Sequence, residues 1–151
     1  MLRLYKPKLE NLGYRQALLS DKSTMSYNES WSGTIDFPKE NWETWYKRWV
    51  LADEGDRYYR TLYSEDVQGF VGEVAYHYDT SHRAHMVNIL VEAKYRGLGY
   101  GKEGLLLLME AAKKRGIPKL CDDIAIDNPG LALFLHLGFT EAWRNEKHIL
   151  V

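Results

Sequence analysis

The chain has 151 residues, enough for one hydrophobic core, and a single domain over residues 1–151 is the simplest organisation. Its 20 basic and 21 acidic side chains leave a formal charge of −1, which argues against a strongly basic nucleic-acid binder. One cysteine, Cys121, excludes an internal disulfide, and there is neither a membrane-length apolar run nor a leader pattern at Met1–Pro7. A cytoplasmic protein with no membrane or nucleic-acid partner is expected.

Alternation over Met1–Lys6 predicts a first strand, ended by Pro7. Lys8–Leu19 reads as a helix with Leu9, Leu12, Gln16 and Leu19 on one side. Residues 21–38 show no period and are long for a plain connection, as functional loops often are. A second helix follows from Phe37–Asn41 to about Val50, with Trp42, Trp45, Tyr46 and Trp49 at helical spacing; such a stripe is core packing or a ligand box. Arg57–Tyr63 and Phe70–Tyr78 are predicted strands joined by a turn at Asp66–Gly69, and His85–Val91 returns after a turn at Asp79–His82, so the sheet is antiparallel here. Lys102–Arg115 is a helix with Leu105, Leu108, Met109 and Ala112 on one face and Glu103, Glu110 and Lys114 on another, stopped by Gly116 and Pro118. Lys119–Ile126 is a strand after a helical crossover, hence parallel to its predecessor. A short helix over Gly130–Leu137 and a hairpin over Thr140–Val151 complete the chain.

The strand-to-helix junction Tyr95-Arg96-Gly97-Leu98-Gly99-Tyr100-Gly101-Lys102-Glu103-Gly104 is the most informative stretch. Glycines there allow a tight turn and leave N–H groups unpaired at a helix N-terminus, a natural anion site. Gly99-x-Gly101-x-x-Gly104 spells a dinucleotide fingerprint, with Asp122 and Asp123 placed for a ribose. That fold needs repeated βαβ units, however, and only 47 residues follow Gly104. A glycine turn without a ligand is the third reading.

Arg96-x-x-Gly99-x-Gly101 resembles the pyrophosphate loop of the GNAT acetyltransferases. Asn128, the short helix with Phe134, and Gly138-Phe139 follow in that family's order, with the Asn128–Gly138 segment one residue shorter than usual. The resemblance is specific from about Ala84 to Phe139. It implies an α/β (α+β) fold with a central mixed, mostly antiparallel sheet of six to seven strands and about four helices. It also implies acetyl-CoA as co-substrate, no metal, and transfer to a primary amine of a small molecule or a protein N-terminus by a monomer or homodimer.

By resemblance, main-chain amides from Gly97 through Leu98, Gly99, Tyr100 and Gly101 to Lys102 wrap the pyrophosphate, and Arg96 and Lys102 add charge; otherwise these two are solvated cations. Leu90 and Val91 pair with the pantetheine arm where two central strands splay, and an N–H near Leu90 is the oxyanion donor. Asn128 lies near that arm or caps the last helix. Asp123, five residues before Asn128, matches the general base of ribosomal-protein N-terminal acetyltransferases; alternatively it is a solvent-facing acid. Glu73 is the second candidate base and His85 the third, near the histone-type position, while Asn88 orients the acceptor. Many members carry Tyr where this chain has Phe134, which cannot donate a proton, leaving water, His136 or Tyr100 for the thiolate. Tyr27, Glu29, Trp31 and Asp36 suit a cationic amine, unless they only pack the loop. A CoA-binding module without turnover is the rival of a different class.

Overall fold

The computed structural model describes residues 1–26, 33–51, 56–125, 130–139, 143–144 and 148–150, giving only the backbone for Asp123, Ala125, Gly130 and the last two of those segments. A five-stranded sheet runs β1 (Leu2–Tyr5), β2 (Arg57–Ser64), β3 (Gly69–Asp79), β4 (Ala84–Val91), β5 (Leu120–Cys121). The first four strands are antiparallel neighbours, and β5 is parallel to β4. β6 (Asp123–Ala125), β7 (Trp143–Arg144) and β8 (His148–Leu150) form a second, three-stranded antiparallel sheet with β8 in the middle.

The expected single strand over Lys119–Ile126 is therefore two strands. Leu120–Cys121 pairs with β4, Asp122 interrupts, and Asp123–Ala125 pairs with β8. The described strands number eight, in two sheets, where one sheet of six to seven was expected.

Each face of the larger sheet is covered by helix. α3 (Tyr100–Lys114) lays Leu105, Leu108 and Ala112 on Leu62, Val71, Val74, Tyr76 and Val87. Gly104 permits this closeness: a Cβ there would meet the Leu62 side chain at 2.9 Å. Glu103, on another face of α3, accepts the Leu2 N–H at 2.8 Å and so closes part of the β1 edge. On the opposite face, α1 (Leu12–Ser20) and α2 (Trp42–Tyr46, continued as a π-helical turn over Lys47–Leu51) bury Leu12, Leu18, Leu19 and Val50. The tryptophan stripe is core packing: the Trp45 ring lies 4.8 Å from Tyr59 and 5.9 Å from Trp49. α4 (Gly130–His136) contributes Phe134, which is buried with its ring edge-on to Phe139 at 4.9 Å.

A bulge at Val71 lets Leu62 face Gly72 and Tyr63 face Phe70. It turns Phe70 onto the α1 face, where it meets Tyr14 at 5.3 Å and Tyr5 at 5.1 Å.

Candidate active site

β4 has one satisfied edge and one open one. Against β3 it pairs along its whole length, from Ala84↔Asp79 to Val91↔Gly72. Against β5 it pairs only at His85↔Leu120 and Met86↔Cys121, because the chain then diverges into the second sheet. No strand among the described residues pairs with Val87–Val91 on that side.

The ladder's parity says which groups point into the opening. Glu92 donates its N–H to Val71 O at 2.8 Å, one step beyond Val91↔Gly72. Pairs two residues apart repeat that exchange, so Leu90 and Asn88 turn their N–H and C=O toward β3. Val87, Ile89 and Val91 turn theirs to the open edge. The outward amides are thus those of Leu90's two neighbours. The Val91 carbonyl is taken by Arg96 Nε at 3.2 Å.

The open edge leads through a 3-10 turn at Ala93–Tyr95 into the glycine loop. Gly97 and Gly99 have φ of +80° and +88°, where side chains are strained, and a Cβ on either would have no atom within 4 Å, so the space over the loop is clear. The described α3 bonds begin with Glu103 N–H to Gly99 O at 3.1 Å. The N–H groups of Tyr100, Gly101 and Lys102 precede it and have no partner within the helix. Gly101 serves packing: its Cβ would stand 3.3 Å from the Leu133 side chain of α4. An extended row of outward backbone groups followed by an anion-binding turn fits a ligand with an amide-bearing arm and a pyrophosphate.

Side chains in the loop differ in their surroundings. The Tyr100 ring is buried and its hydroxyl lies 2.9 Å from Ser64 Oγ, leaving its main chain for a ligand. The Arg96 guanidinium meets the carbonyls of Ser23, Thr24 and Val91. Lys102 and Leu98 are exposed.

The α1-facing surface of β3 and β4 holds Glu73, Leu90 and the exposed Asn88. Glu73 is 6% exposed. It accepts the Tyr59 hydroxyl at 2.8 Å and lies 3.4 Å from Arg15 Nε. Arg15 is enclosed by the rings of Trp45 at 4.3 Å and Phe37 at 4.7 Å. Burial first, and then the Glu73 charge, pushes the Tyr59 phenol up, so it stays a donor. Arg15 and Tyr59 were not singled out from sequence, yet a signal existed: Arg15 sits three residues after Leu12 and four before Leu19, on the core face of α1, and a cation there requires a buried anion.

His85 falls on the other face of β4, edge-on to Tyr76 at 5.6 Å and Tyr78 at 5.2 Å. It is not brought together with Glu73 and Asn88. Asp123 opens β6 two residues after Cys121, as Asn88 stands two after Met86, so they occupy equivalent steps on the diverging strands. Tyr27, Glu29, Trp31 and Asn128 lie outside the described residues. Among the described residues no three His, Cys, Asp or Glu side chains gather as a metal site, and no helix is long and apolar enough to cross a membrane.

The profile of the acetyltransferase (GNAT) family matches residues 20–139, and the chain belongs to that family. The antiparallel strands and the packing role of Gly104 dispose of the dinucleotide alternative. No curated protein sequence matches the chain. Solved structures share the fold at low identity. A GNAT-family acetyltransferase from Bacillus anthracis is 13% identical with a TM-score of 0.76, over 99% of this chain and 93% of that one. Spermidine N-acetyltransferase from Vibrio cholerae, in complex with CoA and spermine, is 18% identical with a TM-score of 0.73, over 99% and 94%. Ribosomal-protein-alanine N-acetyltransferase from Brucella melitensis is 20% identical with a TM-score of 0.73, over 99% and 96%.

Proposed function

We propose that the chain, as one domain over residues 1–151, is an acetyl-CoA-dependent N-acetyltransferase acting on a primary amine of a small molecule or a protein N-terminus by direct attack. The observation that carries this reading is the continuity of the open β4 edge with the glycine loop. Acetyl-CoA supplies an activated acyl thioester when bound. The edge groups of Val87, Ile89 and Val91 then bind the arm as an added strand would, and the amides from Gly97 to Lys102 hold the pyrophosphate. The N–H of Ile89 or Val91 stabilises charge developing on the acyl oxygen. Asn128 orients the arm.

Asp123 takes the ammonium proton, directly or through water; the free amine forms the new N–C bond, the C–S bond breaks, the nitrogen sheds its second proton to water, and the leaving thiolate takes one from water. Asp123 stands two residues past Cys121, the last residue paired with β4, as Asn88, which orients the acceptor, stands two past Met86, and this supports the choice. Glu73 ranks second because its carboxylate already serves Arg15 and Tyr59, and His85 third because it sits across the sheet. Tyr27, Glu29 and Trp31 contact the acceptor. A cytoplasmic setting suits the single cysteine.

Phe134 in the usual Tyr position favours a second reading, a CoA-binding module without turnover. An amine screen read by free-thiol release decides between them. The panel includes spermidine, spermine, an aminoglycoside, free amino acids and a peptide with a free N-terminus. The expected result is thiol release that at least one amine raises about tenfold over hydrolysis. CoA binding with no amine-dependent release across the panel would establish the module instead.

A further inference from the structure

The cation of the glycine motif is engaged by main-chain carbonyls of two segments. Arg96 Nη1 donates to Ser23 O at 3.3 Å, Nη2 to Thr24 O at 2.5 Å, and Nε to Val91 O at 3.2 Å. A planar guanidinium suits three carbonyls from two segments, whereas an ammonium offers one point charge on a flexible stem.

The segment it reaches is itself tightly built. Thr24 is fully buried; its hydroxyl donates to Asp21 Oδ2 at 2.6 Å and accepts the Ala93 N–H at 3.0 Å. That hydroxyl is the first cause holding the Asp21 carboxyl below the usual carboxylate range. Met25, 1% exposed, packs in the same cluster as Leu90 of β4. Residues 21–26 are thus fastened to residues 91–96, immediately before the glycine loop. They lead directly into residues 27–32, which hold the three acceptor candidates Tyr27, Glu29 and Trp31.

We infer that Arg96 is a positioning residue: it ties residues 21–26 to the start of the cofactor loop, so that a ligand held at residues 97–102 steadies both. The inference rests on the acetyl-CoA reading. Ala93 and Val91 hold the near end of the tether, Ser23 and Thr24 the far end, and Gly97 follows Arg96 without a break. A ligand that fixes the amides of Gly97–Lys102 also fixes the residue that grips Ser23 and Thr24.

The test is peptide-resolved hydrogen exchange on the full chain, with and without saturating CoA, for wild type, R96K, R96Q and T24V. In wild type, CoA should slow exchange at residues 97–102 and also, about tenfold or more, at residues 21–26. In R96K, CoA should bind within about threefold of wild type and still protect 97–102. Residues 21–26 should then exchange at least about tenfold faster than in wild type and ignore CoA. T24V leaves the Arg96 bonds in place and removes the separate link of the Thr24 hydroxyl to Asp21 and the Ala93 N–H, so faster exchange at 21–26 there measures that link alone, and R96Q carries the test of Arg96 if R96K does not fold. Unchanged exchange at 21–26 in the folded Arg96 variants would overturn the inference. So would a loss of CoA affinity in R96K beyond about tenfold, which would make Arg96 a phosphate ligand. Failure of wild type to bind CoA would instead overturn the acetyl-CoA reading and the coupling with it, while apo exchange at 21–26 in R96K would still judge the tether.

Discussion

The two flanks of β4 are built from different materials. Its open edge and the glycine loop are made of main chain: outward amides of Val87, Ile89 and Val91, then glycines at φ of +80° and +88°. Its α1-facing surface is made of side chains: Glu73 paired with Arg15 and Tyr59, Leu90 in the core and Asn88 at the surface. A main-chain site depends on strand register and on a few glycines, so it tolerates wide variation in sequence. A side-chain site depends on each residue. This contrast fits two solved structures that share the fold at 18% and 20% identity, one a spermidine N-acetyltransferase and the other a ribosomal-protein-alanine N-acetyltransferase. It also predicts that substitutions on the two flanks fail in different ways.

The largest effect is expected at the proposed base. Asp123→Asn keeps the shape and removes the base, so turnover should fall by about 10²–10⁴ with acetyl-CoA affinity unchanged, read by thiol release and calorimetry. Wild-type turnover in D123N would move the role elsewhere, with Glu73 next. On the main-chain flank, Gly99→Val forces a branched residue to a φ of +88° and puts a Cβ in the clear space over the loop. CoA affinity should drop about a hundredfold or more, roughly 3 kcal/mol, in a variant that still unfolds cooperatively. Unchanged affinity in folded G99V would remove the loop from the cofactor site.

The same contrast decides what could be read from the sequence. The glycine loop was legible because positive φ and tight helix–sheet packing select glycine, and the antiparallel strands because apolar alternation and turns mark them. The division of Lys119–Ile126 into β5 and β6 was not legible. Both pieces have strand character, and only pairing partners far along the chain, Met86 for Cys121 and Leu150 for Asp123, separate them. The main-chain partners of Arg96 were not legible either, because Ser23 and Thr24 lie more than 70 positions away. Nor were the partners of Glu73, the second candidate base, which lie 58 and 14 residues off along the chain.

Glu73 therefore offers the next test. Removing its charge leaves Arg15 facing Trp45 and Phe37 without an anion; breaking such a pair costs about 3–5 kcal/mol, with the lower end expected because the Arg15 side chain keeps 17% exposure. Glu73→Gln should thus lower stability in denaturant by about 3 kcal/mol. The double variant R15M/E73Q, which removes both charges and keeps an acceptor for Tyr59, should recover most of it and remain active. A well-folded R15M/E73Q with no turnover would show that Glu73 is the base.

The smallest effect on rate is expected at Phe134. Its ring is 2% exposed and sits in the core under α3, edge-on to Phe139. A hydroxyl added there enters an apolar cluster, and burying one without a partner costs about 1–3 kcal/mol. The reaction has little need of it: an ordinary thiol has a pKa of about 8.5, so the CoA sulfur can leave as thiolate and take its proton from water. Phe134→Tyr should therefore change turnover by less than about tenfold, under roughly 1.4 kcal/mol of barrier, while lowering the unfolding midpoint. Phe134→Ala should cost about 3–5 kcal/mol of stability, since it empties a packed aromatic site. If Phe134→Tyr instead accelerates turnover a hundredfold, the phenol has reached the leaving sulfur. Residue 134 would then belong to the main-chain flank's cofactor groove, and the missing proton donor would be what limits this enzyme.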